Sequence, residues 1–201
     1  MGRRPALLLV SMAMAVLLVG GVALAENFRG TGKDDGFAGT NRPDNAFGRG
    51  GNDRLSGRGD NDDLYGGAGR DRLDGGGGPD RLYGAGGADP LVAGGEGNDF
   101  GIGGLGTDAL VGGSGNDELL GESGDDRVDG RAGDDDLYGG KGNDRVVGGD
   151  GRDKLFAAAD NDVVVARDGR GGDVVECGRG TDTVSFDAGD RVQGDCERRN
   201  P

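Results

Sequence analysis

Aspartate recurs at every ninth residue through most of this chain. Asp35, Asp44, Asp53, Asp62, Asp71, Asp80 and Asp89 keep the interval without a miss. One residue is then inserted, and Asp99, Asp108, Asp117, Asp126, Asp135, Asp144, Asp153 and Asp162 resume it. These carboxylates lie among 49 glycines. Acidic side chains on glycine-rich loops at one fixed spacing are oxygen donors for a hard cation, which takes roughly six to eight oxygens, loop carbonyls included. Glycine supplies the positive-φ conformations that turn such carbonyls inward. Other chemistries lack their residues. Histidine is absent, which removes histidine zinc motifs and histidine-based triads. No G-x-S-x-G elbow occurs. A paired-carboxylate hydrolase needs a shaped cleft, and a chain this repetitive has no spare residues to build one. The chain is therefore expected not to be an enzyme.

A fixed short period sets the whole fold. Fifteen units of nine residues follow the form G-G-x-G-x-D-x-U-x, most cleanly in Gly112-Gly113-Ser114-Gly115-Asn116-Asp117-Glu118-Leu119-Leu120. With aspartate at position 6, position 8 is aliphatic in most units: Leu55, Leu64, Leu73, Leu82, Leu91, Leu110, Leu119, Val128, Leu137, Val146, Leu155, Val164. Each unit reads as a six-residue glycine loop followed by a three-residue strand. Neighbouring strand side chains point to opposite faces, so position 8 faces in and positions 7 and 9 face out. One unit cannot bury its single apolar residue alone, whereas stacked units give a thin continuous core. A disordered Gly/Asp linker would not require aliphatics locked to one slot.

On these repeats, over about residues 30–165, the chain resembles the hemolysin-type (RTX) calcium-binding nonapeptide repeat family. The resemblance implies an all-β fold, a right-handed parallel β-roll (β-solenoid) with two units per coil. It also implies calcium ions between stacked loops on each edge, held by position-6 carboxylates and loop carbonyls. The candidate ligands are Asp53, Asp62, Asp71, Asp80, Asp89, Asp99, Asp108, Asp117, Asp126, Asp135, Asp144 and Asp153. The first two units lack the full glycine pattern, with Pro43 at position 5, so their sites are discounted. An irregularity is expected near Ala93, where the extra residue falls, with Pro90 at position 7 and Gly101 in a core slot.

Residues 1–25 read as a secretory signal: Arg3 and Arg4, an apolar stretch from Ala6, and Ala23-Leu24-Ala25 before the expected cut. An uncleaved anchor is the rival, since the stretch is long enough to span a bilayer. No other segment could cross a membrane. With Arg3 and Arg4 removed, 21 basic groups face 37 acidic ones, a net −16. That balance opposes compaction without cations and argues against nucleic acid, which wants a basic face. Cys177 and Cys196, an even pair in a secreted chain, are expected to form a disulfide. Residues 168–185, which include Cys177, read as two degenerate units, so 1–25 is read as signal, 26–165 as roll and 166–201 as a disulfide-bonded cap.

Outward residues repeat every eighteen. Position 9 of one set of units is Phe47, Tyr65, Tyr83, Ile102, Leu120, Tyr138 and Phe156, and of the other set Ala38, Ser56, Asp74, Val92, Val111, Asp129, Val147 and Val165. The aromatic row either stabilises its own sheet or makes contact with another protomer, a glycan or a surface polymer. The expectation is a secreted, extracellular calcium-binding protein of structural or interaction role. The alternatives are a surface or matrix adhesin using the aromatic face and an enzyme with an unrecognised site.

Overall fold

Twenty strands, from β1 (Asn27–Arg29) to β20 (Arg198–Asn200), alternate between two ten-stranded sheets in the computed structural model of the chain, which describes residues 26–193, 195–196 and 198–200. The proposed signal, residues 1–25, lies outside the described residues. The first sheet takes the odd strands: β1, β3 (Asn45–Gly50), β5 (Asp63–Ala68), β7 (Arg81–Gly86), β9 (Phe100–Leu105), β11 (Glu118–Ser123), β13 (Asp136–Lys141), β15 (Lys154–Ala159), β17 (Val174–Arg179) and β19 (Arg191–Val192). The second takes the even ones: β2 (Gly36–Ala38), β4 (Arg54–Gly59), β6 (Arg72–Gly77), β8 (Leu91–Glu96), β10 (Ala109–Ser114), β12 (Arg127–Ala132), β14 (Arg145–Asp150), β16 (Val163–Val165), β18 (Thr183–Ser185) and β20. Every pairing is parallel, and partners in the regular part lie eighteen residues apart, as in Leu119↔Leu137. This is a parallel β-solenoid, two nine-residue units per coil.

The strands are longer than the repeat suggests. Most run six residues, from position 7 through position 3. Two positions per unit therefore point inward. Position 8 carries the core, with Leu64, Leu82, Leu137 and Leu155 fully buried. Each such side chain contributes roughly 1.5–3 kcal/mol on burial. Position 1 is the second inward slot. It is glycine in the regular units and is filled by Ala157, Ala166 and Cys177 towards the C-terminus.

The inserted residue falls earlier than the spacing indicated. Leu91 pairs with Arg72 and Val92 with Leu73, so Pro90 itself is the extra residue, and β8 regains register at once. Val92 is thus buried in the core, while Leu91 is half-buried and Ala93 takes the outward slot assigned above to Val92. The reason is local: proline has no N–H to give to the ladder and is tolerated at the strand's edge, not within it. At Gly101 the core slot is empty of side chain, and Leu119 Cδ2 fills part of the space, 2.9 Å from where a Cβ would stand.

The sheets continue in the same order through β17–β20 after a two-residue insertion before Asp173. The expected disulfide is present between Cys177 and Cys196, with Cα atoms 5.3 Å apart. No helix among the described residues is long and apolar enough to cross a membrane.

Candidate metal centre

The repeat aspartates form two rows, one along each edge of the solenoid. On one edge the backbone N–H of Asp53 donates to Asp71 Oδ1 at 2.7 Å, Asp71 to Asp89, Asp89 to Asp108, Asp108 to Asp126, Asp126 to Asp144, and Asp144 to Asp162. On the other the same chain runs from Asp44 through Asp62, Asp80, Asp99, Asp117, Asp135 and Asp153 to Asp173. One oxygen of each carboxylate is thus fixed by the preceding coil, which explains the strict type at position 6. Glutamate would overshoot, and alanine would leave a buried N–H unpaired.

The second oxygen has no protein partner. Oδ2 of every repeat aspartate from Asp53 to Asp162, and of Asp173, is buried and accepts no hydrogen bond. An orphaned buried acceptor costs roughly 1–3 kcal/mol, more when charged, so a run of them on both edges demands a positive partner. Room for it is made by the position-1 glycines. A Cβ on Gly112 would stand 2.1 Å from Asp117 Oδ2, and one on Gly48 equally close to Asp53 Oδ2.

Burial, first, and neighbouring carboxylates behind it push these groups upward, against the lowering effect of the backbone hydrogen bond. Asp80, Asp117, Asp144 and Asp173 rise to about 7, and Asp62, Asp89, Asp126, Asp135, Asp153 and Asp162 to about 6. Asp53, Asp71, Asp99 and Asp108 are raised by the same burial.

The loop that exposes Oδ2 depends on a left-handed residue at position 2. Gly113 has φ +132°, and any Cβ there would press on the Gly95 carbonyl. Arg49, Arg58, Ala85, Glu122, Arg131 and Ala158 take the same turn without being glycine, so the coil imposes it. The first two loops differ. Thr31 and Thr40 occupy position 2 without that turn. The Thr31 N–H donates to Asp35 Oδ2 and the Thr40 N–H to Asp44 Oδ2, both at 2.6 Å, and each hydroxyl adds a second bond. In both loops the protein closes the carboxylate itself.

All twelve candidate ligands named from the sequence share the open arrangement, and Asp162 and Asp173 share it too. The spacing placed Asp173 among degenerate units, and only its bond from Asp153 shows that it continues the row. Beyond it, Asp190 Oδ1 takes the Asp173 N–H at 3.2 Å in place of a repeat carboxylate, while Asp187 Oδ2 takes the N–H groups of Asp168 and Gly169. Position 5 has a separate use. The position-5 backbone N–H donates to the position-5 side-chain oxygen one coil earlier: Asn116 to Asn98 Oδ1 at 2.9 Å, Asp134 to Asn116 Oδ1, Arg70 to Asn52 Oδ1, and Asn52 and Asn143 to the carboxylates of Asp34 and Asp125. The enrichment of Asn and Asp there reflects coil-to-coil bonding along the surface.

Donor type, burial and repetition together describe a file of hard-cation sites. The family described as RTX calcium-binding nonapeptide repeat (4 copies) matches the chain in overlapping stretches from 38–73 to 138–171. This chain belongs to the RTX calcium-binding repeat family. The resemblance read from the nonapeptides is thereby borne out, and the RTX protein is a calcium-binding repeat protein with a parallel β-roll and a disulfide near its C-terminus. No curated protein matches the RTX chain significantly. The disulfide suits an oxidising compartment.

Proposed function

We propose that this is a secreted calcium-ion-binding protein whose role is structural or one of interaction, without catalysis, and whose folding is coupled to calcium. The observation that carries the reading is the row of buried, partnerless Oδ2 atoms on each edge. The ligand set is Asp53, Asp62, Asp71, Asp80, Asp89, Asp99, Asp108, Asp117, Asp126, Asp135, Asp144 and Asp153, extended here to Asp162 and Asp173. The loops of Asp35 and Asp44 are excluded because threonine has taken the cation's place. Calcium would supply charge neutralisation and oxygen coordination. The chain's residues fix one oxygen, keep water out and hold the second oxygen free. Eight divalent ions would balance the net −16 of the chain after Ala25. Secretion rests on the N-terminal signal pattern and agrees with the disulfide. The division at 165/166 into roll and cap belongs to the same reading, as does a contact role for the aromatic face.

Far-UV circular dichroism with chelator and with millimolar calcium tests the coupling, and calorimetry counts the ions. A disordered spectrum turning to β, with roughly eight to eleven ions bound, is expected. Equal β content in both conditions, or fewer than about four ions, would overturn it.

A further inference from the structure

The outward row of the first sheet is continuous. Phe47 pairs in register with Tyr65, Tyr65 with Tyr83, Tyr83 with Ile102, Ile102 with Leu120, Leu120 with Tyr138, and Tyr138 with Phe156. The Phe47, Tyr65 and Tyr83 rings stack within 4.7 Å of each other in sequence, and Tyr138 on Phe156 at 4.9 Å. From the gap between β9 and β11 outward, the row matches in type over six strands, Ile102 against Leu120, Tyr83 against Tyr138 and Tyr65 against Phe156, and ends there, since Phe47 falls opposite Glu176. The neighbouring position-7 row is complementary at two of its three places about that centre, the central one setting Phe100 against Glu118. Arg81 mirrors Asp136, and Asp63 mirrors Lys154.

We propose that this face docks on a second copy of the same chain, about a two-fold axis running along the strands between β9 and β11. The inference rests on the contact role given above and names its partner. Such an axis reverses the order of the strands and keeps their direction. Position 9 then meets position 9, and position 7 meets position 7, with β7 on β13 and β5 on β15. The interface is isologous and closed. Its centre is Ile102 and Leu120, flanked by tyrosine on tyrosine.

Within one chain, Arg81 lies 3.6 Å from Asp63, and Lys154 lies 2.8 Å from Asp136. Docking sets these two pairs across from each other as squares with opposite charges at adjacent corners. The next outward row is small on five of the six strands, with Gly67, Ala85, Gly104, Gly140 and Ala158; the exception, Glu122 on β11, faces Gly104 of the other copy. Six strands, β5 to β15, ~4.8 Å apart and about 20 Å long give on the order of 600 Å² per copy. That is the low end for a specific interface and implies a reversible dimer. On the second sheet the same operation between β8 and β10 would set Asp74 against Asp129 and Arg72 against Arg127, like charges that oppose docking. A polysaccharide would use the rings but would have no need of mirrored charges.

Sedimentation equilibrium on the chain purified in calcium from cells expressing the full-length sequence tests this. The wild type is expected to dimerise. K154E and D63K each place like charges across the interface and should weaken the dimer several-fold. The double variant D63K/K154E restores opposite charges and should recover wild-type association or better. Y83S/Y138S should yield monomer. A folded wild type that is monomeric at its highest soluble concentration overturns the dimer. Association that neither single charge reversal weakens, or that the double variant fails to restore, overturns the two-fold arrangement, as does self-association appearing only with an added polysaccharide. Circular dichroism on the same samples reads folding separately. A β signal indifferent to calcium would sink the calcium reading and leave the sedimentation result to decide the dimer.

Discussion

Asp126 Oδ1 accepts the backbone N–H of Asp108 at 2.8 Å, while Asp126 Oδ2, equally buried, has no partner in the protein. The two oxygens of one side chain thus have separate tasks, the first joining coils and the second offering a ligand. The tasks can be removed one at a time.

Asp126→Asn keeps the acceptor and removes the charge; Asp126→Ala removes both. The asparagine variant is expected to raise the calcium midpoint of folding. The alanine variant should raise it further, since the stranded Asp108 N–H adds about 1–3 kcal/mol. Asp44→Asn should shift the midpoint much less, because Thr40 already closes that carboxylate. Calcium titrations followed by circular dichroism rank the three, and an Asp44 variant as damaging as the Asp126 one would contradict the assignment.

Thr40→Gly should open a site. It removes the hydroxyl bonded to Asp44 Oδ2 at 3.2 Å and permits the left-handed turn that carries the N–H away. Calorimetry should find a higher calcium stoichiometry than in the wild type. An unchanged count would mean that the threonine is not what closes the loop.

Acid should partly replace calcium. In the metal-free protein Asp80, Asp117 and Asp144 stand at about 7, against an ordinary value of 3.8. A folded-state pKa above the unfolded one means that the fold prefers the protonated form. The resulting stability is fully present below the unfolded value and is lost as pH rises through 6 to 7. The calcium-free chain should therefore gain β signal as pH falls from about 7.5 to about 4. Calcium affinity should weaken over the same window as protons compete for the ligands. A chelated chain that shows no acid-induced β structure would refute this.

Cys177 lies buried in a position-1 slot, bonded to Cys196 nineteen residues on. In the chain-entropy model a loop of that size contributes about 3 kcal/mol. Cys196→Ser, or reductant, should raise the calcium midpoint and expose the amides of β17–β20 before those of β9–β13. Hydrogen exchange reads the order directly, and simultaneous opening of all strands would show that the disulfide does not hold the end.

The sequence by itself determined the period, the position-8 core, the aspartate rows and the aromatic row. These depend on a repeat in which each residue type answers one local need: no Cβ where the chain turns left-handed, an aliphatic where it faces in, a short carboxylate where a coil must be joined. The tertiary structure decided what depends on the neighbouring coil. Val92, not Leu91, became the core residue because pairing with Leu73 outweighs spacing from Asp89. The strands lengthened to six residues because positions 2 and 3, whatever their residue type, also pair with the next coil, as in Glu122↔Gly140 and Ser123↔Lys141. Thr31 and Thr40 closed two carboxylates four residues on within their own loops, a side-chain fit that the nine-residue period does not encode. Asp173 joined its row twenty residues from Asp153 instead of eighteen, because stacking distance, rather than position along the chain, sets the contact between coils.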